Sequence, residues 1–160
     1  MTIQVGDKIP NVELHHMTES GNTAISSDEI FSGKKVVLFA LPGAFTPTCS
    51  AKHLPGYADK SDDLFARGVD RIVCLSVNDA FVMDAWGKHH NVDDKVMMIA
   101  DGNGNFTRAV GLEIDLNAGG MGMRSRRYAM IVNDGLVELL NIETAKEFKV
   151  SDAETILGKL

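Results

Sequence analysis

Cysteine is scarce in this chain, with two in 160 residues, too few for a disulfide framework. Positive charge is also short: sixteen Lys and Arg against twenty-two Asp and Glu leave a net charge of −6. That balance argues against non-specific binding to nucleic acid or to an anionic membrane. No apolar run reaches the ~18 residues a membrane span needs. The opening residues, Met1 to Lys8, carry neither the basic region nor the apolar stretch of a signal peptide. A cytoplasmic, reducing location is therefore expected, where cysteines stay thiols unless their surroundings dictate otherwise. Internal repeats, low-complexity tracts and Pro/Gly/Ser-rich linkers are missing as well, so residues 1–160 are expected to form a single domain.

What is present suits a globular core: 44% of residues are apolar and 24% charged. Three short runs, Lys35–Leu41, Arg71–Val77 and Val96–Ala100, are almost continuously apolar. Such runs read as strands buried on both faces, as in parallel sheets covered by helices. Residues 47–67 read as helical, with a break expected at Pro55-Gly56. Residues 79–90 form another helical stretch, whose inner face is expected to carry Phe81, Val82, Ala85 and Trp86. Tyr128–Val132, Asn133-Asp134-Gly135 and Leu136–Leu140 form a hairpin pattern. Ser151-Asp152-Ala153-Glu154 reads as a capping box opening a last helix. The expected class is α/β: a mixed central sheet flanked by helices, with a C-terminal antiparallel hairpin and a final helix. This order resembles a thioredoxin-like fold.

The most informative stretch is Pro42-Gly43-Ala44-Phe45-Thr46-Pro47-Thr48-Cys49-Ser50. Thr46 is placed as an N-cap and Pro47 at the first helical position. Cys49 then falls in the first turn, where free N–H groups and the positive dipole end favour a negative side chain. A thiol of ordinary pKa, ~8.5, is only a few per cent ionised at pH 7, and the thiolate is the nucleophile. Cys49 thus lies where a reactive thiolate is made.

Pro42-x-x-x-Thr46-x-x-Cys49 matches the active-site motif of the peroxiredoxins. The longer string with His53-Leu54-Pro55-Gly56, the stretch Cys74–Val82, Trp86 and Arg126-Arg127-Tyr128 resemble the peroxiredoxin-5, or plant type II, subfamily. The resemblance runs from about residue 5 to the C-terminus. It implies a thiol peroxidase reducing hydrogen peroxide and alkyl hydroperoxides, with Cys49 becoming a sulfenic acid. It implies that the Thr46 hydroxyl, the Cys49 N–H and the Arg127 guanidinium aim donors at the peroxide oxygens, while Pro42 walls the pocket and shields the thiolate. It also implies a homodimer packed through the loops near the active site.

Several relatives carry a resolving cysteine in the segment corresponding to Glu143–Ser151, and here that segment has none. Cys74, 25 residues after Cys49, sits mid-run and reads as a small hydrophobe, the alternative being a resolving thiol. One-cysteine turnover follows, with glutathione or a glutaredoxin as reductant and a thioredoxin as the other option. A redox sensor or relay passing the oxidation of Cys49 to a partner protein is the alternative function. The five histidines show no zinc-helix spacing, and no metal, cofactor, nucleic-acid or membrane partner is expected. His53, one turn beyond Cys49, is a possible contact of the site. Arg124 and Arg126 read as solvated or paired with acids.

Overall fold

Regular structure begins with a hairpin, β1 (Glu13–Thr18) and β2 (Gly21–Ser26), and a short helix α1 (Ser27–Phe31) whose Glu29 N–H is capped by Ser26. The structure is a computed structural model describing residues 1–160. The apolar runs follow as β3 (Lys35–Ala40), β4 (Arg71–Ser76) and β5 (Met97–Ala100), paired in parallel. Between β3 and β4 lie α2 (Leu54–Asp59) and α3 (Ser61–Ala66), and between β4 and β5 lies α4 (Ala80–His89). After β5 come α5 (Asn105–Ala109), the small hairpin β6 (Glu113–Asp115) and β7 (Met123–Ser125), then β8 (Tyr128–Asn133), β9 (Leu136–Ile142) and α6 (Ala153–Leu157). The main sheet runs β2-β1-β5-β4-β3-β8-β9. It is mixed, because β8 joins β3 antiparallel and β9 joins β8 antiparallel.

Asp134 and Gly135 turn the last hairpin with φ of 48° and 78°, the two positive values that a type I′ turn requires. The central strands are buried on both faces, and alternation sorts their side chains into two cores. Val37, Phe39, Ile72, Cys74, Ala129 and Ile131 point to one side, beneath α2, α3, α4 and α6. Val36, Leu38, Val73, Leu75, Met130 and Val132 point to the other, where Ile30, Phe31 and Phe106 cover them. Each large apolar side chain buried this way stabilises the fold by about 1.5–3 kcal/mol. No helix is long and apolar enough to cross a membrane.

Three local expectations are corrected. The chain stays helical from Pro47 to Asp59, and the break falls at Lys60, not at Pro55-Gly56. Residues Cys49–His53 form a π turn, with the Leu54 N–H reaching back to the Cys49 carbonyl. That wider turn relieves the clash a proline ring ordinarily makes with the carbonyl four residues earlier. On α4 the buried face is Ala80, Met83, Trp86 and Gly87, while Phe81 is 62% exposed. Gly87 belongs inside because a Cβ there would lie 2.8 Å from the Met98 side chain. The final helix is capped by Asp152, which accepts from the Thr155 N–H, because the Ser151 hydroxyl is held by Glu143.

Candidate active site

β3 ends at Ala40, and the loop that follows delivers Cys49 above the carboxyl ends of the parallel strands, the usual place for a site in such sheets. The loop is braced from outside. The Ala44 N–H donates to Asn78 Oδ1 at 3.0 Å, and Asn78 also accepts from the Ser76 hydroxyl at 2.7 Å. Arg124 donates to the Pro42 carbonyl at 3.2 Å and to the Met121 carbonyl at 2.9 Å. It is therefore a structural clamp on the loop, not a solvated or acid-paired cation. Gly43 leaves room for that clamp, since a Cβ would stand 2.8 Å from Arg124 Nη1 and displace it. Phe45 takes up the left-handed strain, with φ 62°.

Pro47 opens the helix after Thr46. The Thr46 hydroxyl does not cap a first-turn N–H, however: it donates to the Gly43 carbonyl at 2.7 Å. A hydroxyl whose proton is committed keeps its lone pairs as acceptors, which alters the chemistry it offers. Ser50, next to Cys49, accepts from the Trp86 indole N–H at 2.9 Å, tying the helix start to α4.

Cys49 is wholly buried, and its Sγ receives Arg127 Nη2 at 3.1 Å. Arg127 sits at the entry to β8, brought across the sheet by the β3–β8 pairing. Its Nη1 lies 2.8 Å from His53 Nδ1, and its guanidinium carbon stands 5.8 Å over the Phe148 ring. His53 Nε2 lies 3.1 Å from the Ser151 carbonyl, which also accepts from the Tyr57 hydroxyl at 2.7 Å. The imidazole is wedged among Phe39, Tyr57 and Phe148, with centroids at 4.9, 5.7 and 5.0 Å. Of the four residues singled out in the sequence, Cys49 and Arg127 touch directly. Thr46 is held by a bond within its own loop, and Pro42 by Arg124 from β7.

Burial, and then the charge of Arg127, pull the His53 pKa down to about 3. A buried imidazole whose pKa lies below its unfolded value of ~6.5 binds its proton only on unfolding. The unfolded chain then holds the extra proton, so stability rises with pH across that window and is lost as pH falls from 6.5 toward 3. Between pH 7 and pH 4.5 His53 alone is expected to cost about 2–3 kcal/mol. The check is the urea midpoint at both pH values for the wild type and His53→Asn, in which that part of the acid loss disappears.

Glu143 opens the segment that lacks a cysteine. It is buried, and its carboxylate gathers the N–H groups of Lys149, Val150 and Ser151 and the Ser151 hydroxyl, all within 2.9 Å. Burial alone would raise its pKa, but these donors hold it below the ordinary carboxylate value. A lone acid preceding a polar loop carries no signal of such a role. Cys74 lies on β4 in the same core as Cys49, and burial, with the Cys49 sulfur adding, pushes its thiol well above the usual range.

A buried cysteine at a helix start, met by an arginine across a thioredoxin-like sheet, has the parts that a thiol redox protein needs. The Redoxin family model matches residues 4–157. Peroxiredoxin-2B of Arabidopsis thaliana is 46% identical over 159 residues, covering 99% of this chain and 98% of that one. Reduced Prx3 of Vibrio vulnificus, solved in complex with hydrogen peroxide, is 53% identical with a TM-score of 0.95, covering 99% of each chain. The 1-Cys peroxiredoxin structure from Plasmodium falciparum is 32% identical with a TM-score of 0.90, covering 96% of each chain. The chain belongs to the peroxiredoxin family, in its peroxiredoxin-5 or plant type II branch. It is accordingly an enzyme, a thiol-dependent peroxidase acting on peroxide.

Proposed function

We propose that Cys49 is the peroxidatic residue and that the chain works as a single-domain, one-cysteine peroxidase regenerated by glutathione or a glutaredoxin. The observation that carries this reading is the 3.1 Å contact from Arg127 Nη2 to Cys49 Sγ. The guanidinium sets a positive charge against the sulfur, and after its bonds to Sγ and His53 its fork keeps further N–H groups for a bound oxygen. The thiolate attacks the terminal peroxide oxygen, the O–O bond breaks, and the sulfur keeps that OH as a sulfenic acid while the leaving oxygen takes a proton from solvent as water or alcohol. Negative charge grows on that oxygen, and Arg127 and the Cys49 N–H are the donors aimed at it. Thr46, with its own proton on Gly43, accepts the hydrogen of the incoming hydroperoxide. Pro42, fixed by Arg124, walls the pocket.

The reductant reading rests on Cys74. A resolving thiol must attack as thiolate, and Cys74 is fully buried with its ionisation suppressed. An external thiol therefore takes the sulfenic oxygen off as water, leaving a mixed disulfide that a second thiol reduces. We place the protein in a reducing, cytoplasmic compartment, where its two free thiols persist, and as a homodimer, to which the exposed Phe45 beside the site lends apolar surface.

The test is hydroperoxide consumption with glutathione plus glutaredoxin, and separately with thioredoxin plus its reductase. Faster turnover with the first pair supports the reading. Rapid oxidation of Cys49, trapped by dimedone, without turnover by either pair would mark a relay to a partner protein instead. Cys74→Ser should keep glutaredoxin-supported turnover within about twofold of wild type, since a buried thiol that does not ionise contributes no attack. Loss of that turnover in a folded variant would restore Cys74 as the resolving residue.

A further inference from the structure

We propose that His53 is a positioning residue for Arg127, and that Glu143 holds His53 in the state that does this. The proposal rests on the reading of Cys49 and Arg127 given above. A guanidinium can only donate, so the 2.8 Å contact between Arg127 Nη1 and His53 Nδ1 requires Nδ1 to carry no proton. The ring proton then sits on Nε2 and is donated to the Ser151 carbonyl, 3.1 Å away. Each end of the imidazole thus dictates the state of the other.

The alternative, that His53 merely fills the core, leaves one bond unexplained. The Ser151 carbonyl already accepts from Tyr57 at 2.7 Å, so it does not depend on His53. What the imidazole alone supplies is an acceptor for Arg127. The guanidinium has two side-chain partners, this nitrogen and the Cys49 sulfur, and no carboxylate pairs with it. A carboxylate in this place would orient the guanidinium but spend its charge. A neutral imidazole orients it and leaves the charge for the sulfur and the departing oxygen.

Glu143 secures both ends of this arrangement. Its N–H donates to the Arg127 carbonyl at 2.9 Å. Its carboxylate collects the 149–151 backbone and the Ser151 hydroxyl, which fixes the carbonyl that His53 addresses. Phe148, carried by the same segment, packs against both partners, its ring centre 5.0 Å from that of His53 and 5.8 Å from the Arg127 guanidinium carbon.

The experiment compares His53→Phe, His53→Asn and Arg127→Gln by two rates, oxidation of Cys49 by hydrogen peroxide and its alkylation by iodoacetamide. Phenylalanine keeps the ring packing and removes the acceptor, whereas asparagine returns an oxygen near the Nδ1 position. His53→Phe should slow peroxide oxidation about 10- to 100-fold, the scale of a misplaced catalytic group, while alkylation changes about threefold or less. His53→Asn should recover most of the peroxide rate. In the Arg127→Gln background, His53→Phe should add nothing.

A wild-type peroxide rate in folded His53→Phe, with Arg127→Gln slow, overturns the proposal and leaves the site reading standing. Equal losses in the phenylalanine and asparagine variants overturn it in favour of packing. A wild-type rate in Arg127→Gln removes the site reading itself. A readout independent of any variant is the imidazole 15N spectrum of the wild-type protein. It should show the Nε2–H tautomer, and a proton on Nδ1 overturns the proposal.

Discussion

Cys49→Ser should reduce hydroperoxide consumption to the uncatalysed background with every thiol donor, while the fold survives. A serine hydroxyl is scarcely ionised at neutral pH, and its oxygen cannot take up the peroxide oxygen as the sulfur does. The fold has little reason to fail. The new hydroxyl lies within reach of Arg127 Nη2, which now contacts the sulfur at 3.1 Å, so a buried polar atom keeps a partner. The change in stability is expected to be within about 1 kcal/mol, read as an urea midpoint. The measurement is peroxide loss with glutathione plus glutaredoxin. Residual turnover at even a tenth of wild type would mean that Cys74 reaches peroxide, which its complete burial on β4 argues against.

Arg127→Ala should slow the reaction with hydrogen peroxide by about 100- to 1000-fold, the range for losing one preorganised donor at a developing oxyanion. Alkylation of Cys49 by iodoacetamide should fall far less, since iodide leaves without needing a donor at an oxygen. The contrast between the two rates separates help given to the sulfur from help given to the leaving oxygen. Equal losses in both would confine Arg127 to the sulfur and remove its part in O–O cleavage. Stopped-flow oxidation and a timed alkylation series measure the pair on one preparation.

The central strands were legible because burial on both faces leaves unbroken Val, Ile and Leu, and Asn133-Asp134-Gly135 announced a turn with two positive φ values. Cys49 at a helix start was legible from Pro47, whose missing N–H and fixed φ suit the first helical position. Other features left weaker marks. The β1–β2 hairpin carries His15, His16 and a half-exposed face, so no alternation of apolar and polar residues reveals it. On α4 an exposed Phe81 drew the predicted face away from the small and flexible residues that lie inside. The π turn depends on one bond, from Leu54 to Cys49, and has no compositional sign. Arg124, His53 and Glu143 act through contacts spanning 82, 74 and 8 residues. Only a folded sheet brings the first two pairs together, and Glu143 binds backbone groups that every residue type possesses.

The bond from Trp86 to Ser50 has a use outside catalysis. The chain holds one tryptophan, so all indole emission comes from a single position, one residue from the sulfur in contact. Any change at Cys49 that shifts Ser50 alters the hydrogen bond on the emitting ring. Where oxidation of Cys49 moves Ser50, the emission of this single ring reports it, with one signal for each site and no label attached.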